Sequence, residues 1–131
     1  MRISAVRIAG ACAITAALAL SVAACGSQDK KAACDNLQKT ITDVSRKGMT
    51  QVSDPNGLAQ TYSAGANTMR QQGKDSGDDK VEKAANDAAS ALDSLGQQVK
   101  SIATSGSTTP QMPDVSKLTN AGAELKSACE G

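Results

Sequence analysis

Four cysteines, Cys12, Cys25, Cys34 and Cys129, carry most of the chemistry this chain has to offer. A thiolate is a good nucleophile for alkylation, two thiols can form a disulfide, and close-set cysteines hold zinc or cycle between thiol and disulfide. Spacing decides among these. The nearest two, Cys25 and Cys34, are nine positions apart, so the short spacing of a zinc or redox pair is absent. There is no histidine, which removes Ser-His-Asp and Cys-His arrangements. No glycine-rich phosphate loop occurs. One acidic group remains: Asp75, Asp78, Asp79 and Glu82, with Gly77 among them. Acidic loops can hold calcium through oxygen ligands, but the regular spacing of the helix–loop–helix calcium site is missing here. Asp78 and Asp79 stand where a helix takes an acidic cap, and that is the preferred reading of the four weak metal candidates. Neither catalysis, a metal nor a cofactor is expected.

The position of Cys25 is more telling. The chain opens MRISAVR, basic through Arg2 and Arg7, and continues as an apolar run of 17 residues from Ile8 to Ala24. A basic start, an apolar middle and small residues at the end are the layout of a secretory signal. The run ends in Val22-Ala23-Ala24-Cys25, so the small residues lead directly into a cysteine. This quartet resembles the lipobox of bacterial lipoproteins. The resemblance implies that residues 1–24 are a signal peptide, that the Cys25 thiol receives a diacylglyceryl group, and that cleavage falls before Cys25. Two acyl chains give durable membrane anchoring where one is marginal, at about 0.8 kcal/mol per buried methylene. A plain secretory signal with a chance cysteine is the alternative.

On that reading Cys12 leaves with the signal and Cys25 is blocked by lipid. Cys34 and Cys129 then remain as an even pair in an oxidising compartment, and one disulfide between them is expected. Two free thiols, or a bridge to another chain, stay open. Such a staple matters because the core must be thin. The chain has no Trp or Phe and one Tyr, and its apolar bulk rests on Leu, Val, Ile and Met diluted by much Ala. The net charge is +1 for the whole chain and falls to −1 once Arg2 and Arg7 are removed. A near-neutral chain without a basic run is a poor nucleic-acid binder.

The elements that must position these groups are helices. Cys34, Leu37, Ile41 and Val44 recur at three and four, and the pattern fades at Gly48 or Met49. A second helix opens at Asp54-Pro55, carries Leu58, Tyr62, Ala66 and Met69, and stops at Gly73. A third follows Asp78 and Asp79. Its Val81, Ala85, Ala88, Leu92, Leu95, Val99 and Ile102 alternate four and three, a seven-residue repeat suited to bundle packing, and Gly106 ends it. A fourth begins at Asp114 with Val115, Leu118, Gly122, Leu125 and Cys129. Nothing alternates with a strand period. The fold expected is all-α, a small antiparallel four-helix bundle over residues 34–131, closed by one disulfide and preceded by a lipidated cysteine and tether over 25–33.

In an up-down bundle of four helices, Cys34 in the first turn and Cys129 in the last turn lie at the same end. The eight residues between Cys25 and Cys34 span at most about 29 Å, so that end faces the membrane. Loop 73–77 shares it, with Lys30 and Lys31 either resting against lipid headgroups or simply keeping the tether soluble, while loops 47–54 and 105–113 face outward. Tyr62 reads as a core residue with its hydroxyl near the edge. Met49, Met69 and Met112 read as gap fillers. The composition and cysteine pair are similar to those of small Ala-rich actinobacterial lipoproteins. The function expected is a lipid-anchored module on the extracytoplasmic face of the cell membrane, interacting with an envelope protein partner. The alternatives are a carrier or sensor holding a small apolar or lipid ligand between helices, and a purely structural envelope protein.

Overall fold

The computed structural model describes residues 22–106 and 114–131, with side chains placed from Gln28 onward. Four helices make up the described chain: α1 (Val22–Thr50), α2 (Pro55–Asp75), α3 (Asp79–Ser105) and α4 (Ser116–Glu130). Their ends have local causes. At the start of α2, Asp54 accepts from the Gly57 N–H at 3.0 Å and Pro55 occupies the first turn, where its missing N–H costs nothing. At the start of α3, one Asp78 oxygen accepts from Lys80 N–H at 3.0 Å and Val81 N–H at 3.1 Å. Gly106 ends α3 in the left-handed region, at φ 58°.

Small residues let the two central helices approach closely. A methyl group on Gly73 would come within 2.7 Å of the Ala85 methyl and 3.2 Å of the Glu82 backbone, so α2 can lie on α3 here only as glycine. Ala84, Ala85, Ala88, Ala89 and Ala91 of α3 are buried with Val81, Leu92, Leu95 and Val99, toward α2 on one side and α4 on the other. Each alanine removes little apolar area, so the interface depends on dense contact over its length. Arg70 and Asp93 join across its edge at 2.6 Å. On the outer side of α2, α1 docks through Leu37 and Val44, with Val44 seated over Gly65, where a methyl group would stand 2.5 Å from it. On the far side of α3, α4 docks through Ala121 and Leu125. Consecutive helices therefore pack side by side. The first and last barely touch, and the Cys34–Cys129 disulfide, with its Cα atoms 5.8 Å apart, joins them. The chain is an antiparallel four-helix bundle closed by one disulfide.

Several boundaries differ from those the sequence suggests. Residues 26–33, expected as a tether, continue α1 as helix. No proline interrupts them, and tertiary contacts hold them in place: Ala33 is buried and Lys30 pairs with Asp78 at 3.3 Å. Cys34 thus lies well inside α1 rather than in its first turn. In helical geometry the Cys25–Cys34 segment rises only about 14 Å, half the reach of an extended tether. α1 runs on to Thr50, and α2 passes Gly73 and ends at Asp75. Gly73 is a contact residue and not a stop. α4 starts at Ser116, because Asp114 turns its carboxylate onto the Ser116 N–H at 2.9 Å and stays outside the helix. Residues 1–21 and 107–113, with the expected signal core and Met112, lie outside the described residues.

Candidate functional site

The bridged end is built around the α2–α3 turn. Ser76 is fully buried there; its hydroxyl donates to the Gly73 carbonyl at 2.5 Å and accepts from the Asp78 N–H at 3.2 Å. Gly77 turns the chain at φ 63°. Asp78 then caps α3 and reaches Lys30 of α1 with its other oxygen. The Val81 N–H, more than the Lys30 ammonium, holds the Asp78 carboxyl below the usual carboxylate range. A lowered native value means that the unfolded chain takes up this proton at higher pH than the folded one. The stabilisation is therefore complete above the ordinary carboxylate value near 4 and is lost as pH falls through the native value. Asp78→Ala is expected to lower stability by about 1 kcal/mol at neutral pH, the usual cost of a lost cap. Asp78→Asn keeps the cap oxygen, so it should cost less at neutral pH and flatten the acid limb of a stability–pH curve. Urea titrations between pH 3 and 7 check both.

This use of Asp78 bears on the acidic group. Asp75 accepts from Gln71 at 3.0 Å, and Asp79 and Glu82 lie in the first turn of α3. Among the described residues, no three Asp, Glu or Cys side chains come together in a way that could hold a metal ion. Asp75 ends α2 while Asp78, Asp79 and Glu82 belong to the start of α3, and the four do not converge on a point.

Beside the disulfide the splay of α1 and α4 opens a groove of about 760 Å³. Its floor is apolar: Cys34, Ile41, Leu125 and Cys129, with Gly122 among them. Charges of both signs stand along it: Lys30, Lys31 and Asp35 on α1, Lys126 and Glu130 on α4. Lys30 is drawn to Asp78 and its side chain is only 19% exposed, so it does not stand free as the sequence suggests, whereas Lys31 is exposed. Lys126 and Glu130 pair at 3.8 Å on the solvent side. The heptad reading did not anticipate this groove. The one local signal was Gly122, a glycine in mid-helix with no turn to make.

The opposite end carries a different surface. The exposed large apolar side chains among the described residues are Met49 (76%), Val52 (72%) and Val115 (54%). Met49 closes α1, Val52 sits in the turn before α2, and Val115 precedes α4, so all three belong to the end away from the disulfide. Met49 is therefore no gap filler, unlike Met69, which is fully buried. Val115 opens the apolar stripe of the fourth segment yet stays in solvent, because α4 begins one residue later. Tyr62 is half-buried against Gly48 and Gly96, with its hydroxyl 3.4 Å from where a Gly48 methyl would stand. Burial pushes its phenol above the usual tyrosine value. The core role at an edge that the sequence suggests is the one observed.

Cys25 falls in the first turns of α1, and its side chain lies outside the described residues. Among the described residues no helix is long and apolar enough to cross a membrane. The chain matches no protein-family model, no curated protein and no solved structure.

Proposed function

We propose that this protein is a lipid-anchored envelope protein, held through Cys25 on the extracytoplasmic face of the cell membrane, whose bundle is a non-catalytic interaction module for an envelope protein partner. The anchor rests on the basic start, the apolar run and the Val22-Ala23-Ala24-Cys25 quartet. The module reading is carried by one observation: the exposed large apolar side chains gather at the end remote from the anchor. Lone exposed apolar residues are ordinary, but grouped ones on the outward end of a tethered body mark a contact surface. A partner burying them gains the hydrophobic contribution that the isolated chain leaves unused.

The anchor is tested by the intact mass of protein taken from its own membranes. A chain beginning at Cys25 plus diacylglycerol is expected; an unlipidated mass ends the anchoring reading. For the contact surface, a photo-crosslinking residue at position 52 is expected to give one discrete heteromeric product in intact cells. Met49→Ser with a Val115→Ser change should abolish it while changing the melting temperature little, since both side chains are mostly exposed. An identical product from that variant overturns the choice of surface. No product at any distal position favours a purely structural role.

A further inference from the structure

We infer that the α1–α4 groove is a binding site for a membrane phospholipid with a zwitterionic headgroup, one acyl chain lying along Ile41, Gly122, Leu125 and the disulfide. The site is separate from the distal contact surface, and it draws on the anchoring reading only for its supply of lipid.

The first argument is Gly122. A methyl group would crowd a neighbouring atom at Gly57, Gly65 and Gly73 and would meet one at ordinary contact distance at Gly48 and Gly96, while Gly77 and Gly106 hold positive φ. Gly122 has a negative-φ helical backbone and open space, with nothing within 4 Å of where its methyl would stand. Glycine inside a helix is disfavoured relative to alanine, and no contact among the described residues accounts for it here. The space it leaves lies on the groove floor, where it lets an outside molecule meet the backbone of α4.

The second argument is size. The groove's 760 Å³ lies in the range of small-molecule sites. From Lys31 to Thr42 it follows α1 for about 16 Å. A helix of that length, about 10–12 Å across with its side chains, displaces well over about 1,000 Å³ and would stand largely outside. An extended acyl chain is narrow enough to lie within it.

The third argument is charge. A purely anionic headgroup would meet Asp35 and Glu130 as well as the lysines. A headgroup with both signs uses both: its phosphate takes Lys31 and Lys126, and its ammonium takes Asp35 and Glu130, replacing the 3.8 Å contact that Lys126 and Glu130 make with each other while Lys30 stays on Asp78. The charged residues on α1 stand toward the Cys25 end of the groove, and Ile41 lies further along. A lipid entering tail-first would therefore keep its headgroup at the membrane side.

The test uses the full lipidated protein in phosphatidylcholine vesicles doped with phosphatidylethanolamine carrying a photoactivatable acyl chain. Adducts are expected on α1 near Ile41 and on α4 near Gly122 and Leu125. Gly122→Leu, which fills the groove without touching the core, should cut these adducts about tenfold with no fall in melting temperature. Adducts confined to the anchor segment, or undiminished in Gly122→Leu, overturn the proposal, as does a cross-link through the groove to a second protein chain in place of lipid. A second arm titrates monomeric dihexanoyl phosphatidylethanolamine into the same protein and follows the amides of Ile41 and Gly122. It needs no anchor, so saturable shifts there alongside an unlipidated mass would sink the anchoring reading and leave the groove standing. Absence of saturable shifts sinks the groove.

Discussion

Replacing both Cys34 and Cys129 by serine is expected to lower the stability of the folded chain by about 2–5 kcal/mol. The bridge spans 95 residues of sequence, and in the chain-entropy model a loop of that length contributes about 4–5 kcal/mol by restricting the unfolded chain. The fold gives a second reason to expect a large effect. α4 buries only Ala121 and Leu125, and it meets α1 at little beyond the bridge. Without the bridge, the shortest helix is held by one face on α3. Urea unfolding should show a lower midpoint, and amide exchange should show α4 losing protection before α2 and α3. The double substitution avoids a stray thiol that could pair between chains. A midpoint within about 0.5 kcal/mol of the native protein would mean that the α3–α4 contact alone secures the helix.

The parts of this architecture that were legible in the sequence are those set by local chemistry. Asp54-Pro55 and Asp78 announce the starts of α2 and α3 because a capping carboxylate and a first-turn proline act within a few residues of themselves. The repeat from Val81 to Val99 announces a helix buried along its length, and every position of that stripe is buried. The cysteine pair was legible through its parity and its place at matching ends of the chain.

What was hidden depends on partners distant in sequence. The stretch Gly26–Ala33 is polar enough to read as a solvated tether, and only the contacts of Ala33 and the Lys30–Asp78 pair reveal it as packed helix. Gly73 reads as a stop because glycine signals a helix end and a close helix crossing in the same way; Ala85 tells them apart. The groove depends on how far α1 and α4 splay, which no pattern within either helix encodes. Val52 and Val115 likewise acquire meaning only once both stand at one end of the bundle.

The same thin, alanine-rich interior makes single large side chains unusually important, and Leu37 is the sharpest case. Leu37→Ala is expected to cost about 3–5 kcal/mol, the upper part of the range for leucine truncation. The cost of such a change has two components, the lost transfer of methylene groups from water and the cavity left behind. The second shrinks where neighbours can swing inward. Leu37 is fully buried in a cluster whose members include Ala66, Ala84, Ala85, Ala88, Ala89 and Ala91. An alanine has no rotamer to change, so a core this rich in alanine closes a cavity mainly by moving whole helices. Among the described residues, the cluster's flexible side chains besides Leu37 are few: Met69, Leu92 and Leu125. Leu37 and Val44 are also the buried anchors by which α1 holds the body, so the loss falls on the helix that carries both the bridge and Cys25. Leu37→Met conserves volume and should cost less than about 1.5 kcal/mol. Urea midpoints of the two variants decide the matter. A wide gap with an unchanged slope shows a rigid cavity, whereas equal and small losses would show that α1 slides over its alanine bed to heal the gap.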